Sequence, residues 1–228
     1  MTDGIEICPR LVTFVRMTTD LTCWRREQQD WKPPDDASAP EIAYDRARLT
    51  MRKEADARRV RKFMKRLAEE TRGAGDVFLT GGSSAVLLGW RKTTLDVDLE
   101  LDPEPPGAFD AISRLKDELE INVELASPAH FIPTLPGWRE RSRPIGVHGA
   151  IRFWHYDFYA QALSKIERGH AQDLGDVREM LNRKLVEPKE LRCLFEAIVG
   201  KLKRYPAIDP DAFREKVDEV LRQAAGSD

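Results

Sequence analysis

A double glycine between an apolar strand and a short helix constrains the fold more than any other feature of the sequence. Residues 77–80 form a run typical of a buried strand, and Gly81 and Gly82 follow it directly. Residues 83–88 predict a short helix with Ser83 as its N-cap. Glycine lets the backbone approach a ligand closely, and a helix N-terminus offers unpaired N–H groups at the positive end of its dipole. The turn is therefore a candidate phosphate-binding site.

The strand after this turn carries two carboxylates on one face. Strict alternation over residues 95–101 predicts a half-buried strand with Asp96 and Asp98 on its polar face and Leu95 on its core face. Side chains at positions i and i+2 lie roughly 6–7 Å apart, so the two carboxylates can converge on Mg²⁺ or Mn²⁺ together with phosphate oxygens. A phosphate site beside acidic metal ligands favours transfer of a nucleotide from a nucleoside triphosphate (NTP).

Apolar spacing over the rest of the chain predicts an α/β fold with a mixed sheet, flanking helices and a helical C-terminal part. The further expected elements of the α/β part are helices over 52–71 and 108–120 and strands over 121–125 and 151–156. Phe109 is expected to face the core. The predicted parts of the chain are a poorly structured N-terminal extension over 1–45, an α/β core over 46–157 and a helical region over 158–228.

Composition excludes several classes of protein. The chain has 37 Lys and Arg against 39 Asp and Glu, and this net charge of −2 does not indicate a nucleic-acid binder. Arg139, Arg141 and Arg143 nevertheless form a local basic cluster in a predicted loop. No run approaches the roughly 18 apolar residues of a membrane span, so no membrane partner is expected. The 3 cysteines exclude a disulfide framework and, with no recognisable secretory signal, predict a cytoplasmic protein.

The glycine turn and the two aspartates resemble the signature of the nucleotidyltransferase superfamily, which is Gly-[Gly/Ser]-Ser, a gap, and Asp-x-[Asp/Glu]. Here 12 residues separate Ser83 from Asp96. The resemblance implies a polymerase-β-like fold in which Asp96 and Asp98 bind the metal and act in catalysis. It also implies that Gly81, Gly82 and Ser83 bind the triphosphate.

The same resemblance implies a third carboxylate, from a later strand, for metal binding and catalysis. Glu124 is the best match, because alternation over 121–125 places it on the polar face together with Asn122. Asp157, just past the strand predicted over 151–156, is the competing candidate.

A closer resemblance, to bacterial nucleotidyltransferase-like proteins related to the AbiEii and MenT toxins, rests on residues 126–133, 136–141 and 162–176. It implies that Lys165 contacts the nucleotide phosphates and that Asp173 belongs to the active site. For Asp176 and Arg168, a salt-bridge network between helices is the alternative. Arg91 is a candidate phosphate contact or a cation at a helix C-terminus.

These residues lead to one leading hypothesis and two alternatives. The leading hypothesis is a Mg²⁺-dependent nucleotidyltransferase that moves a nucleotide from an NTP to a tRNA-like RNA or a protein, with a toxin role and a cognate antitoxin. The first alternative is a catalytically inactive nucleotide-binding or regulatory member. The second is a small-molecule enzyme of the aminoglycoside type, to which Glu100 and Asp102 would contribute acidic side chains.

Overall fold

Residues 52–226 are described by the computed structural model, and they belong to the compact unit Ala47–Asp228. The strands are β1 (Ala55–Asp56), β2 (Gly75–Leu79), β3 (Thr93–Thr94), β4 (Asp96–Leu101), β5 (Asn122–Leu125), β6 (Arg143–His148) and β7 (Ile151–His155). The helices are α1 (Ala57–Glu70), α2 (Gly81–Leu88), α3 (Ala108–Glu118), α4 (Trp138–Arg141), α5 (Phe158–Arg168), α6 (Ala171–Asn182), α7 (Pro188–Val199) and α8 (Pro210–Ala225). Short 3-10 turns occur at Pro128–His130 and Leu202–Arg204. The prediction for 1–45 lies outside the described residues.

The central sheet has five strands in the order β5-β4-β2-β7-β6. The β4–β5 and β2–β7 pairs are parallel, whereas the β2–β4 and β6–β7 pairs are antiparallel. β1 and β3 form a separate antiparallel pair. This mixed sheet with flanking helices confirms the predicted α/β fold class. β6 begins at Arg143, where the sequence predicts a loop, and Arg139 and Arg141 lie in α4 rather than in that loop.

Alternation along β2 separates two hydrophobic cores. Val77 and Leu79 are buried on one face of the sheet, in the core that includes the buried side chains of α1 and α3. Phe78 faces the other side and packs in a second core with Tyr156 and the C-terminal helices. Phe78 pairs with Glu100 of β4, so the polar face of β4 lies on this second side of the sheet.

α1 illustrates how local sequence determines a helix. The helix begins later than the sequence predicts, at Ala57, because the side chain of Asp56 accepts a hydrogen bond from Arg59 N at 2.8 Å and caps it. The predicted buried face is confirmed and consists of Val60, Phe63, Met64 and Leu67. Exposed cations form a basic stripe along the helix, made of Arg58, Arg61, Lys62 and Lys65.

Two apolar side chains lie in solvent although periodicity predicts them to be in the core. Leu95 is 68% exposed, because β4 begins only at Asp96 and Leu95 precedes the alternating strand. Phe109 is 51% exposed, because it lies outside the stripe along which α3 packs. That stripe consists of Ala108, Ala111, Ile112 and Leu115.

The C-terminal part is helical, as predicted, and its breaks fall where expected. Gly169 ends α5 with a φ of 70°, and Pro188 is the first residue of α7. A domain boundary at residue 157 remains a prediction. Among the helices of residues 52–226, none is long and apolar enough to cross a membrane.

Candidate active site

The glycine turn is itself the first turn of α2. Thr80 is the N-cap, and Gly81, Gly82 and Ser83 take the first three helical positions, so the prediction of Ser83 as N-cap is wrong. The reason is that the helix starts at the glycines. The first amides of an α-helix have no acceptor within the helix, so this turn offers N–H groups to an external partner. Ser83 is fully buried, and its Oγ has no hydrogen-bond partner among the described residues.

Each glycine makes room for a neighbouring strand. Gly81 has a φ of 57°, and a Cβ there would lie 2.7 Å from Asp98 Oδ2. A Cβ at Gly82 would overlap Thr94 Oγ1, which donates to the carbonyl oxygen of Asp96 at 3.0 Å. The glycine turn and the aspartate strand are therefore one structural unit, because the glycines let the Asp98 carboxylate lie directly against the start of α2.

A polar pocket of about 190 Å³ opens at this junction. Its lining residues are Thr80, Gly81, Asp96, Asp98, Glu124, Ala126, Ser127, Pro128, Phe131, Gln161, Ser164, Lys165 and Arg168. The predicted site residues on its wall are thus Gly81, Asp96, Asp98, Glu124 and Lys165. Those that do not line it are Gly82, Ser83, Arg91 and Asp173. A larger groove among α5–α8, of about 1330 Å³, contains none of the predicted site residues.

Strand register brings the three predicted carboxylates to one edge of the pocket. Asp98 of β4 pairs with Glu124 of β5, and Asp96 pairs with Asn122. The side-chain amide of Asn122 donates to Asp96 Oδ1 at 2.7 Å and to Glu124 Oε1 at 2.8 Å. The prediction that Asn122 and Glu124 share a face is therefore confirmed, and Asn122 holds the carboxylates of both strands.

The crowding of negative charge at this edge appears in the pKa of Asp98. Burial, and then repulsion from Asp96 and Glu124, raises the pKa of Asp98 to about 6 against the attraction of Arg168 and Lys165. Both of these cations are bound to carboxylates of α6, so they do not pair with the acidic edge. A carboxylate with this environment favours a cation from outside the chain.

The donor set fits a divalent cation that is shared with a bound ligand. Among residues 52–226, no three His, Cys, Asp or Glu side chains gather closely enough to hold a metal ion. Mg²⁺ keeps several waters and is usually bound by one or two carboxylates plus substrate phosphates. Asp96 and Asp98 are the two carboxylates that would serve such an arrangement, and they and Glu124, which is exposed, stay predicted ligands.

Lys165 is buried at the pocket wall within a network of ion pairs. Its Nζ donates to Asp173 Oδ1 and to Asp176 Oδ2, each at 2.7 Å. Arg168 also donates to Asp173 Oδ1, at 3.1 Å. Burial raises the pKa of Asp173, but the hydrogen bond and charge of Lys165 lower it overall. The predicted salt-bridge alternative therefore holds for Asp176 and Arg168, and the same network fixes the position of Lys165.

Arg91 belongs to this network as well. Its Nε and Nη2 donate to the two carboxylate oxygens of Asp176 at 2.8 and 2.5 Å, and Trp90 Nε1 adds a bond at 3.1 Å. Arg91 also borders the glycine turn, since its Nη1 lies 3.6 Å from where a Cβ of Gly82 would be. Its charge is already paired, so a contact between Arg91 and a phosphate remains a prediction.

Asp157, the competing third carboxylate, has a structural role. It is fully buried, caps α5 by accepting from Tyr159 N at 3.1 Å, and accepts from Arg141 Nη2 at 2.6 Å. Burial raises the pKa of Asp157 overall, although the bond from Arg141 opposes the rise. Because Asp157 does not line the pocket, Glu124 is the later-strand carboxylate that the fold brings there.

Gln161 is a pocket residue that sequence reasoning missed. Its Oε1 accepts from Gly81 N at 2.9 Å, and its Nε2 donates to the carbonyl oxygen of Tyr156 at 2.8 Å. It therefore binds the first amide of α2, which has no acceptor within the helix. One signal was available, because Gln161, Lys165 and Arg168 share a helix face at i, i+4 and i+7.

A mixed α/β sheet with a helix that starts at glycines beside paired strand aspartates defines a nucleotidyltransferase-like protein. More particularly, residues 56–214 match the family described as "Nucleotidyltransferase of unknown function (DUF6036)". Because this match spans more than half of the chain, the chain belongs to that family. No curated protein and no solved structure is significantly similar to the chain. Family membership supports nucleotide transfer in general.

Proposed function

We propose that the chain is a Mg²⁺- or Mn²⁺-dependent nucleotidyltransferase that moves a nucleotide from an NTP to an RNA acceptor. One observation carries the proposal. Asp98 is held against Gly81 with Asp96 and Glu124 beside it, so negative charge that no cation of the described chain pairs lies at the start of α2. Lys165 lines the same pocket and supplies positive charge next to that edge.

The proposed reaction is an in-line displacement. A hydroxyl oxygen of the acceptor bonds to the α-phosphorus of the NTP, the bond from that phosphorus to the α–β bridging oxygen breaks, and pyrophosphate leaves. Asp96 and Asp98 would hold a divalent ion, which when bound would neutralise part of the triphosphate charge. Glu124, the exposed carboxylate of the three, accepts the proton of the attacking hydroxyl.

Lys165 and the start of α2 position the phosphates in this proposal. The ammonium group of Lys165 has three N–H donors, and Asp173 and Asp176 accept two of them, so one is left for a phosphate oxygen. Because Asp173 and Asp176 are buried and bound to Lys165, they orient its Nζ. The resemblance adds Gly82 and Ser83, at the start of α2, as a second phosphate contact of the proposal, although neither residue lines the pocket.

An RNA acceptor is favoured by the basic stripe of α1. Its four cations are exposed on one helix, although α1 packs on the side of the sheet opposite to the polar face of β4. Such a stripe can bind a phosphate backbone even in a chain of balanced net charge. The resemblance to AbiEii and MenT toxins adds a tRNA-like acceptor, a toxin role and a cognate antitoxin to the proposal.

Other charged groups lend less support to a particular acceptor. Arg139 is paired with Asp102 and Arg141 with Asp157, so the basic cluster predicted at 139–143 is largely neutralised. The pairing of Asp102 also removes one of the two acids on which an aminoglycoside-type site would depend. A protein acceptor would use the same transfer chemistry, and the experiment below distinguishes it from RNA.

The test is transfer of label from each α-labelled NTP, with Mg²⁺, to whole-cell RNA and to whole-cell protein. Wild-type protein is expected to label RNA, and the double variant Asp96→Ala/Asp98→Ala to lose at least about 10³-fold in rate, because both metal ligands are gone. Asp110→Ala, an exposed aspartate of α3, is the control and is expected to label normally. Equal labelling by the double variant would refute the assignment.

The class of labelled acceptor separates the alternatives. Label in protein alone would replace RNA by a protein acceptor and leave the transfer chemistry intact. Binding of NTP and Mg²⁺ without any labelled product would instead favour the inactive, regulatory alternative.

A further inference from the structure

We propose that Phe131, braced by Arg168, is a stacking surface for the base of the bound nucleotide. The inference rests on the proposed function, since it names the part of the pocket that would receive the nucleobase. Phe131 is 40% exposed and lines the pocket that contains Asp98 and Lys165. The other large hydrophobic side chains exposed within residues 52–226 are Leu95, Phe109, Leu125 and Val147, and none of them lines that pocket.

The backbone that carries the Phe131 ring is held in place by hydrogen bonds and by its buried neighbours. The amides of Phe131 and Ile132 both donate to the carbonyl oxygen of Pro128 at 3.0 Å, in the 3-10 turn that follows β5. Pro128 and Ile132 are buried, so the backbone at Phe131 is anchored although its side chain is not covered. A rigid aromatic group loses little conformational entropy when a base stacks on it.

Arg168 fixes the ring further and gives it a charge partner. Its guanidinium carbon lies 5.2 Å from the centroid of the Phe131 ring, which is a cation–π contact. The same side chain donates to Asp173 Oδ1, so the ion-pair network holds Arg168 against the ring. Flat π-systems and guanidinium planes are the surfaces on which nucleobases stack without strong base preference.

The size of the pocket directs the base to this position. A volume of about 190 Å³ is below the roughly 300–1,000 Å³ of pockets that enclose a small-molecule ligand, so an NTP would extend out of it. Its phosphates belong at Lys165 and at the metal ion proposed beside Asp98, where the charges are. The base is then left for the exposed side of the wall, where Phe131 lies.

The experiment compares a ligand with a base and a ligand without one. Calorimetry with Mg²⁺ measures the binding of ATP, GTP, CTP, UTP and inorganic tripolyphosphate to the full chain and to Phe131→Ala, Phe131→Trp and Phe109→Ala. For the tightest NTP, Phe131→Ala is expected to weaken binding about 5- to 150-fold, the range typical of one stacked base, with tripolyphosphate unchanged. Phe131→Trp should retain NTP binding because it keeps an aromatic face, and Phe109→Ala should match wild type.

Several outcomes would overturn the inference. One is unchanged NTP binding by Phe131→Ala, and another is equal loss of NTP and tripolyphosphate, which would make the ring a support of the phosphate site. Wild-type binding of NTP no tighter than tripolyphosphate would refute the base surface and leave the proposed phosphate site standing. Wild-type binding of neither ligand would refute both. Normal NTP binding with weaker labelling of RNA would assign the ring to the acceptor instead.

Discussion

Two groups of carboxylates at the candidate active site use the same chemistry in opposite ways. The acidic edge consists of Asp96, Asp98 and Glu124. The ion-pair network consists of Arg91, Lys165, Arg168, Asp173 and Asp176. In the network, each carboxylate is bound by cations of the chain. At the acidic edge, the hydrogen bonds come from a neutral amide and the pKa of Asp98 is raised to about 6.

The difference indicates where a ligand is required and where it is not. A buried charge needs a partner, and the network supplies its own, so the network contributes to stability and to the position of Lys165. The acidic edge keeps its charge at a cost in folding free energy. That cost is expected where an external cation and a phosphate complete the site.

The largest effect on stability is expected from Asp176→Ala. The substitution leaves Arg91 without its two-bond partner and Lys165, whose side chain is 4% exposed, with Asp173 alone. Breaking a buried pair costs roughly 3–5 kcal/mol, and the remaining bond to Lys165 places this case near about 3 kcal/mol. Urea unfolding measures the change.

The matched control for that prediction is Glu179→Ala on the same helix. Glu179 pairs with Arg183 at i, i+4, and both side chains are about 40% exposed, at 40% and 43%. The Glu179→Ala substitution is expected to lower the free energy of unfolding by less than about 0.5 kcal/mol. Similar losses for Glu179→Ala and Asp176→Ala would show that the network is not an energetically distinct region.

A smaller loss of stability is expected from Gln161→Leu, which removes the side chain that joins the start of α2 to the backbone before α5. The change leaves the Gly81 amide and the Tyr156 carbonyl oxygen without their partner, and unsatisfied buried groups cost about 1–3 kcal/mol. Unfolding in urea again gives the magnitude. The same substitution at Gln172, which is exposed on α6, should change the free energy of unfolding very little. A match between the two variants would mean that Gln161 does not hold the turn.

The smallest effect, of opposite sign, is expected from Asp98→Asn without divalent cations. The folded-state pKa of Asp98, about 6, lies above the unfolded value of about 3.9. The contribution of Asp98 to the free energy of unfolding is therefore fully present below pH 4 and is lost as the pH rises through 6. The neutral asparagine should therefore stabilise the protein by about 1–2 kcal/mol at pH 7, after allowance for solvent screening, and by nothing near pH 4. Unfolding at both pH values checks the sign.

Two controls accompany that measurement. Burial lowers the pKa of His155 to about 4, so His155 makes its own contribution to the pH dependence of stability. The wild type and Asp98→Asn both contain His155, so this contribution cancels in the difference between their free energies of unfolding. Burial raises the pKa of Asp76, but the hydrogen bonds from Arg152 and Trp154 lower it overall, so Asp76→Asn should lower stability at pH 7. Destabilisation by Asp98→Asn as well would remove the contrast between paired and unpaired carboxylates.

Elements with strong local signals were predicted correctly from the sequence. Alternation found β4 with Asp96 and Asp98, helical spacing found the buried face of α1, and the glycine turn marked the start of α2 to within a few residues. These predictions succeed because each depends on side chains close in sequence, whose period of 2 or 3.6 is set by backbone geometry. The Asn122–Glu124 face was predictable for the same reason.

Which of the candidate residues lie together depends on long-range contacts of the fold. The sheet register places Glu124 beside Asp98. Asp157, in contrast, caps α5 and pairs with Arg141, so it does not reach the pocket. Gln161 reaches Gly81 across 80 positions of the chain, and no local pattern encodes such a contact. Pairing, burial and the resulting pKa of a carboxylate depend on the neighbours that folding supplies, and that is why the open acidic edge and the closed network differ although both are made of aspartates.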